Sequence, residues 1–210
     1  MNIISALSRV FDWCFGPRAQ IYVKPLRKVQ VLFSDLVSGH LEESQTMVGS
    51  TKRYVLDFSA SRTSGQHPLY PEVYLDTSLG FVLCVQSDSG NIPIVVIGFE
   101  RRSTYFFVQQ LENIRQMEEY LPFEWEKLLY KVLIMFGSFS RELGVKEVRV
   151  CPAHRSPYHP FGNQENADGR TFAECYELAK RLYLLHDLVP LQCGFRWNDP
   201  TKTYTFMLSQ

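Results

Sequence analysis

Between Val73 and Leu111 the chain carries three apolar runs of strand length separated by short polar turns. This block constrains the fold more than any other part of the sequence. The runs are Val73 to Gln86 (with a break at Ser78-Leu79-Gly80), Ile92 to Phe99, and Thr104 to Leu111. Ser87-Asp88-Ser89-Gly90-Asn91 and Arg101-Arg102-Ser103 are turn clusters. Uninterrupted apolar runs such as Ile94-Val95-Val96-Ile97 predict strands covered on both faces of a sheet.

A long amphipathic helix follows. Trp125, Leu128, Leu129, Val132, Leu133, Phe136 and Leu143 recur at helical spacing, and Gly144 stops the pattern. Ile134 and Met135 give it a second apolar side. Val145 to Cys151 reads as a buried strand ending at Pro152. His154 to Arg170 reads as a loop, and Thr171 to Leu188 as a second helix with Leu178, Leu182 and Leu185 on one side. Phe195-Arg196-Trp197 and Tyr204-Thr205-Phe206 make a closing hairpin around Asn198-Asp199-Pro200.

The first third is less regular. Ile3, Ile4, Leu7, Val10, Phe11 and Cys14 form an apolar stripe at helical spacing, ended by Gly16-Pro17. A terminal stripe of this kind must be covered by its own domain, a partner or a membrane surface, and its single basic side chain disfavours the membrane. Ile3, Leu7, Val10 and Phe11 are therefore the residues predicted for a protein partner or self-association. Ala19 to Val23 reads as a short strand, Pro25 to about Gly39 as an amphipathic helix, Arg53 to Phe58 as a strand, and Ser59 to Pro71 as a surface loop.

Composition removes several classes of function. Of 210 residues, 45% are hydrophobic, so a large core is available and disorder is not the default. Lys plus Arg equals Asp plus Glu at 22 each, which argues against wrapping nucleic acid by bulk charge. Five scattered cysteines without a CxxC predict reduced, buried thiols and a cytoplasmic location. No stretch reaches the roughly 20 apolar residues of a transmembrane helix. Arg9 and Asp12 interrupt any signal-peptide core.

The order strand, strand, strand, long helix, strand, helix, Cys193-Gly194-Phe195, hairpin resembles the GNAT acyltransferase superfamily over Val73 to Leu208, and more loosely over Ala19 to Gly39. The strings Val108-Gln109-Gln110-Leu111, Trp125-Glu126-Lys127-Leu128-Leu129 and Arg181-Leu182-Tyr183 are similar to those of small bacterial GNAT-like proteins; none is a catalytic motif. The resemblance implies an α/β (α+β) fold with a mixed, mainly antiparallel sheet and helices on both faces. It would form one domain over 17–210, with the amphipathic helix at 1–16 added in front. It also implies that Phe107, Val108, Gln109, Gln110 and Leu111 line a cleft for acetyl-CoA or another acyl-CoA. In the same way it implies Tyr183 as general acid and Glu100 as general base.

The chain departs from that pattern after the third strand. Phosphate binding there needs bare amides at a helix N-terminus, with glycines that allow close approach. Glu112 to Pro122 contains no glycine and places Glu112, Glu118 and Glu119 where a polyanion would sit. The sequence therefore predicts a GNAT-like domain that is non-catalytic or catalytically altered and acts by protein or ligand binding, without an obligatory cofactor. An acyl-CoA-dependent N-acyltransferase is the alternative. A nucleic-acid module using Arg101 and Arg102 is a remoter one. Cys151 with His154 and His159 lacks a fixed fourth ligand, so no metal site is predicted.

Overall fold

The computed structural model describes residues 19–43, 53–60, 64–88, 90–114, 124–162 and 169–208. The predicted helix at 1–16, with Ile3, Leu7, Val10 and Phe11, lies outside these residues. So does the acidic segment from Arg115 to Phe123.

A 3-10 turn, Ala19–Tyr22, runs directly into helix α1, Val23–Glu43. The predicted strand at Ala19 to Val23 is thus part of a helical entry. Pro25 accounts for the difference, because its fixed φ suits the first turn of a helix and its missing N–H costs nothing there. Strand β1 (Arg53–Ala60) follows, then the two-residue strands β2 (Gly65–Gln66) and β3 (Tyr74–Leu75), which pair with each other. The predicted meander is β4 (Leu79–Ser87), β5 (Gly90–Arg101) and β6 (Tyr105–Asn113). Helix α2 is Trp125–Phe139 and β7 is Glu147–Val150. Helix α3 (Phe172–Tyr183) leads through a π-turn (Leu184–Leu188) into the short helix α4 (Val189–Gln192). Strands β8 (Arg196–Asn198) and β9 (Thr203–Met207) close the chain.

Seven strands form one mixed, mainly antiparallel sheet in the order β1-β4-β5-β6-β7-β9-β8. The β6–β7 pair is parallel and the other five neighbouring pairs are antiparallel. Alternation sorts the apolar runs between two sides. Phe81, Leu83, Val95, Ile97, Phe99, Phe106, Val108 and Val148 join the main core with residues of α1 and α2. Val82, Cys84 and Val96 point the other way, beneath Tyr70, Val73 and Leu75. This second layer explains why part of the predicted surface loop folds back: the far face of an apolar meander must be covered, and segment 64–77 covers it.

Phe136 of α2 sits at the centre of the main core. Its ring centroid lies 5.1 Å from Phe81, 5.3 Å from Phe58, 5.4 Å from Phe106, 5.7 Å from Tyr22 and 6.0 Å from Phe99. Helix α2 ends at Phe139, before the predicted stop. A 3-10 turn, Arg141–Leu143, carries the chain to Gly144, whose φ of 85° requires glycine. The π-turn has an equally local cause. In an α-helix, Pro190 would offer no N–H to the His186 carbonyl and its ring would collide there. The widened turn relieves both, and the Tyr130 hydroxyl donates to the Leu185 carbonyl at 2.9 Å.

Thr171 begins α3 with a complete capping box: its hydroxyl accepts from Glu174 N–H at 3.3 Å, and the Glu174 carboxylate accepts from Thr171 N–H at 2.7 Å. Thr171→Ala is expected to lower stability by about 1 kcal/mol, read as a shift in the urea midpoint at constant slope. Among the described residues no helix is long and apolar enough to cross a membrane.

Candidate functional site

β6 and β7 run together from Tyr105 opposite Glu147 to Val108 opposite Val150. The last bond across the pair is Cys151 N–H to the Val108 carbonyl, 3.1 Å. There the strands part. β7 stops short of Pro152, which has no N–H to extend a ladder. β6 continues to Asn113 and stays paired with β5 on its other side. Gln109 is the extra residue of a β-bulge, because Phe99 faces Val108 and Gly98 faces Gln110. The bulge re-aims β6 where it loses β7.

The opening holds a cleft of about 220 Å³. Gln110 to Asn113 form its strand wall, and Leu178, Arg181, Leu182 and Leu185 its helix wall. That helical spacing puts the four on one face. Tyr158 and Arg170 complete the lining. Asn113 Oδ1 is buried without a hydrogen-bond partner among the described residues.

Gln110 anchors the strand wall. Its Nε2 donates to the Tyr74 carbonyl (2.9 Å) and to Glu112 Oε1 (2.6 Å), and its Oε1 accepts from Asp76 N–H (3.1 Å). Gly98 makes room for this arrangement. A Cβ there would stand 2.5 Å from Thr77 Oγ1 and 2.6 Å from Gln110 Oε1. Glu112 is accessible at the cleft mouth, yet surrounding protein desolvates its carboxyl and raises its pKa. Asp76 pushes the same way, while the Gln110 hydrogen bond and Arg181 pull it down. The Tyr158 hydroxyl donates to Asp76 in a short bond. Desolvation, then this bond, holds the phenol well above its ordinary range.

The five residues that the resemblance assigns to a cofactor divide among three places. Gln110 and Leu111 line the cleft. Val108 is fully buried in the main core. Phe107 and Gln109 line a separate groove with Arg149 and Cys151. Tyr183 is 52% exposed and is not among the cleft-lining residues. Glu100, opposite Phe107 on β5, accepts from Ser78 N–H (2.7 Å) and Ser78 Oγ (2.8 Å). Tyr183 and Glu100 are therefore not gathered at the cleft.

Tyr158, Asp76, Arg170 and Arg181 are the site residues that sequence reasoning missed. Arg181 carried a readable signal, since it shares the helical face of Leu178, Leu182 and Leu185. Tyr158 and Asp76 carried none, because they meet across 82 residues of chain.

The other constellations have structural partners. Burial pushes the Cys151 thiol up to about 11, and its carbonyl meets His186 Nδ1 at 3.0 Å. The Arg101 guanidinium donates to the Leu143 carbonyl at 2.5 Å. Among the described residues no cluster of His, Cys, Asp or Glu is placed to hold a metal ion.

Compared with known proteins, the chain matches no family model, no curated protein and no solved structure.

Proposed function

We propose that this chain is a GNAT-like domain whose cleft between β6 and β7 binds an acyl-thioester ligand of the acyl-CoA class, acting by binding rather than by efficient acyl transfer. The observation that carries the proposal is the parting of the sheet's parallel pair at Val108 and Val150, with a bulge at Gln109 and an arginine-bearing cleft directly beyond. Leu111, Leu178, Leu182 and Leu185 suit the apolar length of a thioester arm. The free edge of β6 and the unpaired Asn113 Oδ1 suit its amides. Arg181 sets its positive charge against Glu112, and Arg170 lines the same cleft, so the described lining carries two guanidinium groups to one carboxyl. When bound, an acyl-CoA would supply an activated acyl group. Binding is favoured over turnover because Tyr183 and Glu100 stand outside the cleft lining and the Tyr158 hydroxyl is committed to Asp76.

Calorimetry with acetyl-CoA tests this reading. Saturable binding is expected, and Arg181→Glu is expected to weaken it at least about tenfold through loss of one charge-assisted contact and gain of a like charge. No heat at about 1 mM ligand would end the proposal. The alternative, an acyl-CoA-dependent N-acyltransferase, is favoured by one observation: Glu112 is a carboxyl of raised pKa at the cleft mouth, as a general base requires. Acetyl transfer to a primary amine that disappears in Glu112→Gln, with acetyl-CoA affinity retained, would move the assignment to that class.

A further inference from the structure

A second concavity, of about 370 Å³, lies over the sheet face that Phe107 and Arg149 share. Val108 and Val150, the next residues along β6 and β7, point into the helical core, so Phe107 and Arg149 point away from it. Phe107 lies opposite Arg149, and Arg149 opposite Thr205, in one row across three strands. Tyr105 precedes this row on β6, and Thr203 of β9 borders the groove further along. The fold thus brings an aromatic pair, two guanidinium groups and hydroxyls to one open surface.

The chemistry of the lining is selective. Arg149 and Arg155 are its charged residues, and no carboxylate is among the lining side chains. Arg149 is held in place: its planar group stacks 3.9 Å over the Tyr105 ring, and Nε and Nη2 both donate to Glu147 Oε1, Nε at 2.9 Å. Its Nη1 makes no hydrogen bond among the described residues, so both Nη1 N–H groups and the second Nη2 N–H are left for a ligand. Arg155, at an exposed position, donates from Nη1 to the Lys202 carbonyl at 3.2 Å. Lys202 has φ of 53°, the one positive value for a non-glycine among the described residues, in the turn that brings Thr201 to the rim. Thr201 and Thr203 hydroxyls are 2.8 Å apart. Tyr105 and Phe107 meet edge to face at 6.4 Å and offer an apolar surface.

The geometry points to a small-molecule site in this groove, taking a carboxylate-bearing ligand of amino-acid size with a flat apolar portion. Arg149 and Arg155 would receive the carboxylate, the Thr201–Thr203 pair would orient it, and Tyr105 with Phe107 would cover the apolar part. Its volume lies in the range of small-molecule sites. Fixed guanidinium groups recognise carboxylates better than mobile ones, because less side-chain freedom is lost on binding. This inference goes beyond the acyl-CoA reading and does not need it.

The probe is 3-phenylpropionate, titrated into the 15N-labelled full chain, with 3-phenylpropionamide and inorganic phosphate as comparisons. Saturable amide shifts centred on Tyr105, Phe107, Arg149 and Thr203 are expected. The carboxamide should bind at least about tenfold more weakly, the difference that one charge-assisted contact makes. Arg155→Ala, at an exposed position, should weaken the carboxylate by a similar factor. Thr203→Val serves as a second variant with the same expectation if Arg155→Ala perturbs folding. Equal affinity for acid and amide, equal response to inorganic phosphate, shifts located elsewhere, or none up to about 10 mM would each overturn the site. Acetyl-CoA is absent throughout, so failure here is separate from failure of the cleft assignment.

Discussion

Phe136→Ala is expected to destabilise the protein by about 3–5 kcal/mol, with a large drop in the urea midpoint, and to leave a fraction of chains unfolded at ambient temperature. Phe136 is fully buried and its ring meets five other aromatic rings, from α1's entry turn and from β1, β4, β5 and β6. Removing it opens a cavity bounded by strands and a helix that are each held elsewhere, so collapse around the gap is limited. Phe136→Leu keeps most of the volume and should cost less than half as much. A midpoint shift no larger for alanine than for leucine would show that the core closes over the void and that Phe136 is not its centre.

Stability is expected to fall as pH drops below about 6.5, and His186 is the main described reason. The ring is fully buried beside the end of β7. Desolvation lowers its pKa from 6.5, against smaller raising effects of the Cys151 carbonyl and Asp187. The folded pKa is thus depressed relative to the unfolded chain. At a pH between the two values the unfolded state binds a proton that the folded state refuses, so folding is fully favoured above 6.5 and progressively less so as pH falls towards the folded value. One such group gives a slope of at most about 1.4 kcal/mol per pH unit. His67, also buried and lowered by desolvation, acts in the same direction. Glu112 and Glu126, whose pKa values are raised above 4.5 by desolvation, act in the opposite direction at lower pH. His186→Asn keeps a donor for the Cys151 carbonyl but cannot titrate. Its urea midpoint should therefore depend less on pH between about 6.5 and 5 than that of the parent chain. Identical slopes would mean that the ring takes up its proton without opening the fold.

The sheet was legible in the sequence because its strands are apolar without interruption and its turns are marked by Ser, Asp, Gly and Arg. The meander from Leu79 to Asn113 falls where Val73 to Leu111 predicts it. Short-range physics that overrides periodicity was harder to read. Ala19 to Tyr22 has the composition of a strand, but among the described residues no strand pairs with it, and Pro25 favours a helical start. The continuation through Pro190 was hidden for the converse reason, since a proline ends a regular helix and only a widened turn carries one past it. The candidate site was legible in part. Gln110 and Leu111 were visible as strand residues next to an expected opening. Arg181 could be read from helical spacing. Asp76 and Tyr158 depend on a loop folding back across the sheet, and nothing local in either segment encodes that meeting. Glu112 was visible as a negative charge, but Arg181, whose charge acts on it, comes from a helix far along the chain.

The widened turn at Leu184–Leu188 also restricts how this chain can change length. Upstream of it Leu178 and Leu182 line the cleft; downstream Val189 and Phe195 enter the main core. One extra residue in the turn sets the rotational phase between those two halves. Deleting a single residue there would swing the downstream half by about 100°, carrying Val189 off its seat while the cleft wall stayed in place. A one-residue deletion within these five positions should therefore lower the urea midpoint more than one in the exposed turn around Asp88 between β4 and β5.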